Sequence, residues 1–157
     1  MSVSTRAYYS DTIESFLDAS PDRVLGEMAR HGAFALELTQ RDAWLTQIEI
    51  LHKSLSKYRG RGKLYFEYSI PRLGRRIDVL VLINHVLFII EFKVGEEKFT
   101  SGAIDQVMDY ALDLKNFHES SHDKLIAPLL VATRAKRSEL SYEFTPHNDG
   151  LLQPILA

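Results

Sequence analysis

The chain has 157 residues, 45% hydrophobic and 25% charged, and its 19 Lys+Arg against 21 Asp+Glu leave a formal net charge of −2. That length suits about one domain, which buries roughly 70% of the surface its unfolded chain exposes. Zero cysteines exclude disulfides and thiolate metal sites and fit a reducing cytoplasm. No apolar run reaches the ~18 residues that span a bilayer, and Arg6 among polar neighbours excludes a signal-peptide core.

Charge is unevenly spread. Residues 53–76 carry eight basic side chains (Lys53, Lys57, Arg59, Arg61, Lys63, Arg72, Arg75, Arg76) against Glu67 alone, whereas residues 1–50 carry four basic and eight acidic ones. A basic window of that kind either brings a polyanion to the chain or is a solvated helix end and loop.

In chain order, residues 11–18 read as a short helix with an Asp11-x-x-Glu14 cap pattern. Ser20-Pro21 opens a second helix, because serine caps and proline fits the first turn, and Gly32 closes it. Residues 41–58 form a longer helix with Trp44, Leu45, Ile48, Leu51 and Leu55 at helical spacing, ended by Gly60 and Gly62. Residues 63–70 read as a strand and 71–74 as a turn. The following segment, RIDVLVLINHVLFIIEFK over 76–93, is an apolar double run meeting at Asn84-His85, which predicts two strands buried on both faces and joined by a tight hairpin. With that loop, paired positions sum to 169. Asp78 then lies opposite Glu91, and Lys93, opposite Arg76, shares the face of Glu91. Ser101 caps a helix over about 103–117 whose buried stripe is Ile104, Val107, Met108, Ala111 and Leu112, and 125–132 is another buried strand. A helix between the third and fourth strands predicts parallel pairing through a right-handed crossover. The expected fold is α/β, a three-layer α/β/α sandwich with a mixed central sheet. The whole chain, 1–157, is one domain with a helical N-terminal part over 1–40 and an ill-defined tail over 134–157. The apolar run 151–156 at the very end suggests a domain cut from a longer protein.

Ile77-Asp78, twelve residues, then Glu91-Phe92-Lys93 resembles the PD-(D/E)XK motif of the restriction-endonuclease-like nuclease superfamily, on a matching αβββαβ order. Gln106-x-x-x-Tyr110 resembles the Gln/Tyr pair of several of its branches. More narrowly, residues 66–68, 74–78 and 113–122 (DLKNFHESSH) are similar to the N-terminal domain of bacterial proteins that carry a P-loop helicase-like domain behind it. The resemblance covers about 41–133. Ile77 stands where the superfamily name has proline, and no GxxxxGK[ST] pattern is present, so any NTPase half lies outside this chain.

The resemblance implies a metal-dependent endonuclease acting on DNA. Asp78, Glu91 and the Phe92 carbonyl would hold Mg²⁺ or Mn²⁺, and Lys93 would orient or deprotonate water or neutralise the phosphate. Glu67, which aligns with Asp78 if 71–74 is a four-residue loop, and Glu49 on the 41–58 helix are candidates for a third acidic ligand. Gln106 and Tyr110, one helical turn apart, would position the lysine, water or phosphate. Arg75 and Arg76 would clamp the nucleic-acid backbone, helped by Arg72, Lys63 and Lys57; His118 and His122 have a weaker claim on phosphate. Candidate partners are DNA, a helicase-like NTPase domain and a second copy of the chain. Three alternatives stay open. The charges are a metal-free salt bridge of Lys93 with both acids, or the domain is a catalytically silent interaction module, or half of a nuclease that needs its partner domain.

Overall fold

The structure, a computed structural model, describes residues 6–31, 38–70, 74–117, 124–136, 145 and 150–157. Its elements are β1 (Tyr9–Thr12), α1 (Ile13–Asp18), α2 (Pro21–His31), α3 (Leu38–Ser54), a 3₁₀ turn (Ser56–Tyr58), β2 (Gly62–Ser69), β3 (Arg76–Ile83), β4 (Val86–Lys93), α4 (Ser101–Phe117), β5 (Leu125–Ala132) and β6 (Ile155–Leu156). The six strands form one mixed sheet in sequence order. β1 to β4 run antiparallel, and β5 is parallel to both β4 and β6.

The central hairpin forms because its turn tolerates left-handed backbone. Asn84 sits at φ 54, a conformation its short amide side chain accepts, and the expected register holds from Ile83↔Val86 to Val79↔Ile90, stopping short of the expected Asp78–Glu91 and Arg76–Lys93 pairs. Its strands are apolar without a break over 79–83 and 86–90 because neighbours bury on opposite sides. Leu80 and Ile89 join a cluster with Val107, Tyr110 and Ala111 of α4, while Val81 and Ile90 join one with Phe16, Met28 and Ile48 of α1 to α3. Both faces of the sheet therefore carry helix-packed cores, compatible with the layered sandwich. α4 carries the chain from β4 to β5, whose ladder runs in parallel from Val86↔Leu125 to Lys93↔Ala132.

Several local expectations are corrected. Residues 9–12 are an edge strand paired with β2, and the first helix begins only at Ile13. Its cap is Thr12, whose Oγ1 accepts from the Ser15 N–H at 3.2 Å, not Asp11. The 41–58 helix starts at Leu38 and stops at Ser54, the 3₁₀ turn finishing it. Thr100 rather than Ser101 caps α4, accepting from the Ala103 N–H at 3.2 Å. Ser20 does cap α2, accepting from Arg23 at 3.2 Å. Within 151–156, Ile155 and Leu156 extend the sheet as β6. Gly32, residues 71–73 with Arg72, His118, His122, 137–144 and 146–149 fall outside the described residues. Among the described residues no helix is long and apolar enough to cross a membrane.

Candidate active site

The site is built where the regular sheet gives out. The β2–β3 ladder keeps the expected sum of 145, from Gly62↔Ile83 through Phe66↔Val79 to Tyr68↔Ile77. Between those last two pairs lie Glu67 and Asp78. Glu67 has φ 52, left-handed backbone that is rare for a non-glycine residue. The alternation of faces breaks there. Phe66 and Val79 pack with α1 to α3, while Tyr68 and Ile77, two residues along, pack on the α4 side. The β3–β4 ladder ends at the same level, with Val79↔Ile90 as its last pair. Arg76 consequently does not pair with Lys93. It pairs with Ser69, lies over the Tyr8 ring at 4.3 Å and donates to the Glu67 carbonyl at 3.3 Å.

Asp78 fills the gap left by that separation. Its Oδ2 accepts from the Phe92 N–H at 2.9 Å, a side-chain bond in place of the missing ladder bond. In an extended strand a residue's N–H and C=O point toward the same neighbour, so the Phe92 carbonyl faces this gap too. Glu91 is only 5% exposed, and its Oε2 is buried with no hydrogen-bond donor among the described residues. Its Oε1 lies 3.8 Å from Lys93 Nζ. Lys93 Nζ in turn donates to Gln106 Oε1 at 3.1 Å, and Gln106 Nε2 donates to the Tyr110 hydroxyl at 2.8 Å. The lysine is thus held from two sides, by its own strand and by α4.

The electrostatics follow from burial of like charges. Glu91 is pushed up to about 9, first by desolvation and then by Asp78, against the pull of Lys93. Asp78 is also raised by desolvation, opposed by the Phe92 N–H and by Glu91 and Lys93. Glu67 rises to about 7 through burial and the Asp78 charge, while the Trp44 indole bonded to it pulls the other way. Burial raises Tyr110 as well. Two adjacent carboxyls that cannot both ionise, one with an orphaned oxygen, are a donor set a cation satisfies. Asp78, Glu91 and the Phe92 carbonyl therefore fit a hard divalent ion, which takes oxygen ligands. Among the described residues no group of three or more His, Cys, Asp or Glu side chains is arranged to hold a metal, so the remaining coordination would fall to water and substrate.

Of the two further acids, Glu67 stands in the charge field of Asp78 and Glu91. Glu49 is exposed on α3, whose buried residues are Trp44, Gln47, Ile48 and Leu51. Trp44 is the residue that sequence reasoning undervalued. It reads there as one member of an apolar stripe, yet its Nε1 donates to Glu67 Oε1 at 3.1 Å. An indole is the one large apolar side chain with a strong donor, which is the signal that was available.

Among the described residues the basic window is scattered, and only its end at Arg75 and Arg76 comes near the site. Arg59 is tied to Asp18 at 2.8 Å and Glu14 at 3.7 Å. Lys63 is exposed on β2 opposite Leu82, four residues from Glu67 and so ~13 Å along the strand. Lys57 is exposed in the 3₁₀ turn. Arg75, exposed just before β3, acts on Tyr110 and Asp113 of α4, and Arg76 acts on Glu67. Neither a protein-family model nor a curated protein matches this chain.

Proposed function

We propose that this domain is a metal-dependent nuclease of the PD-(D/E)XK type that hydrolyses DNA phosphodiester bonds. The observation that carries the reading is the held lysine. Lys93 follows the buried Glu91 by two residues, faces it at 3.8 Å and is fixed by Gln106 at 3.1 Å, beside a buried Glu91 oxygen that accepts from no N–H or hydroxyl among the described residues. A structural ion pair needs no such relay from a second element.

Bound at Asp78, Glu91 and the Phe92 carbonyl, Mg²⁺ or Mn²⁺ would supply a Lewis acid and water activation. The chain's own groups do the rest. Asp78 is locked in orientation by the Phe92 N–H, leaving its second oxygen for the site. Lys93 presents an ammonium to the phosphate or to the attacking water, and its Nζ bond to Gln106 restricts where that charge can go. Tyr110 fixes the Gln106 amide so that the oxygen faces the lysine. Glu67, near neutrality in its titration, adds a group that can exchange a proton beside Asp78.

The rival reading, a silent interaction module on the same fold, rests on the lack of a third clustered ligand among the described residues. Labelled duplex, single-stranded and branched DNA incubated with Mg²⁺ or Mn²⁺ separates the two. Wild type should cut, chelation should stop it, and Asp78→Asn should abolish cleavage while leaving DNA binding intact. Equal activity of wild type and Asp78→Asn would remove the assignment. No cutting and no metal uptake by calorimetry would favour the silent module, and metal uptake without cutting would point to an absent helicase-like partner.

A further inference from the structure

A second recess opens at the carboxyl ends of the parallel strands, beyond the site. The chain leaves β4 at Lys93 and β5 at Ala132, and the two exits are laced together. Thr133 N–H donates to the Lys93 carbonyl at 3.2 Å, Arg134 N–H to the Glu96 carbonyl at 3.0 Å, and Gly95 N–H to Thr133 Oγ1 at 2.7 Å. This double loop borders a cavity of about 710 Å³ lined by Glu97, Lys98, Phe99, Arg134, Ala135, Lys136 and Leu156. Among the described residues three cations face one carboxylate, and none of the three forms an ion pair with another described residue. Phe99 and Leu156 are half-buried against the α4-side core, so the cavity has an anchored apolar lining under an exposed cationic rim.

That combination has a chemical meaning. Unpaired cations on a surface are ordinary, and apolar recesses are ordinary; together, on one hydrogen-bonded frame, they match a ligand with an anionic end and a flat apolar end. The volume lies in the range of small-molecule sites. Aromatic rings stack on bases without regard to sequence, and lysine and arginine take phosphate. The carboxyl ends of parallel strands are also where open α/β sheets hold ligands. We propose that this cavity binds a nucleoside phosphate, its phosphate at Lys98, Arg134 and Lys136 and its base against Phe99. Binding there uses none of Asp78, Glu91 or Lys93, so it stands or falls separately from hydrolysis. The ligand is either a free nucleotide or the phosphorylated end of a strand. From Lys93 to Lys98 the chain spans at most ~17 Å, about five nucleotides of duplex rise, so a strand end held here would sit that close to the hydrolytic groups.

The test uses the whole chain in EDTA, with binding read by calorimetry for AMP and ribose 5-phosphate and by anisotropy for a labelled twelve-nucleotide strand with or without a 5′-phosphate. AMP should bind more tightly than ribose 5-phosphate, and Phe99→Leu should erase that difference while leaving ribose 5-phosphate unaffected. Lys98→Ala combined with Lys136→Ala, both at exposed positions, should weaken AMP about tenfold or more. Preference for the 5′-phosphorylated strand, lost in the double variant, assigns the site to strand ends; AMP binding without that preference assigns it to free nucleotide. Failure of AMP and of both strands to bind in a way that the double variant weakens overturns the proposal, as does equal affinity for AMP and ribose 5-phosphate.

Discussion

The sharpest consequence of the buried carboxyl pair is an inverted pH dependence of stability. Glu91 holds its proton in the folded chain up to about 9, against an ordinary value of 4.5. Between those values the unfolded chain has released a proton that the folded chain keeps, so stability is greatest below the unfolded value and falls as pH rises. One such proton is worth ~1.4 kcal/mol per pH unit. Glu67, raised to about 7, has given up most of its proton by about pH 7.5, so from there to about pH 8.5 the slope comes mainly from the Asp78–Glu91 pair. Across it the apoprotein should lose ~1.4 kcal/mol, or ~3–5 °C in Tm for a chain of this size. Glu91→Gln keeps the shape and removes the titration, so its melting temperature should stay nearly level over the same window and exceed wild type at the alkaline end. Thermal melts in EDTA read both chains side by side. Adding Mn²⁺ should reverse the wild-type trend, because a cation replaces the proton. Parallel pH slopes for wild type and Glu91→Gln would refute the electrostatic account of the site.

Gln106→Leu should free Lys93 and lower turnover about ten- to hundredfold, with metal affinity by calorimetry unchanged; Tyr110→Phe, which removes only the bond to Gln106, should cost less. Trp44→Phe deletes the donor to Glu67 and should destabilise by ~1–3 kcal/mol in urea unfolding at pH 8. At pH 5, where Glu67 is protonated, the cost should shrink. A Cβ on Gly62 would collide with the Leu82 carbonyl oxygen, which the ladder holds in place, so Gly62→Ala should cost about 3 kcal/mol by the same assay.

The elements with strong local signals are legible from the chain alone. An unbroken apolar double run around Asn84-His85 can bury only as a two-faced hairpin, and a loop of two residues leaves a single register, which brought Asp78, Glu91 and Lys93 together on paper. The crossover helix and its parallel strand follow because parallel neighbours need a long connection. Gln106 and Tyr110 share a helix face by spacing, and that face is the one that meets Lys93. Caps one residue away from the expected ones reflect how interchangeable Thr12 and Asp11, or Thr100 and Ser101, are as local acceptors. What spacing does not contain is the backbone twist at Glu67. Its left-handed φ stands beside the point where the β3–β4 ladder ends at Val79↔Ile90, and beyond that end Arg76 lies over Tyr8 rather than opposite Lys93. Spacing puts Trp44 on the buried stripe of α3, but it does not reveal that Glu67 lies beneath the indole, since that meeting is set by how α3 packs on the sheet. The scattering of the basic window has the same origin. Neighbours in sequence point to different sides of strands and turns, and only packing determines which charges share a surface.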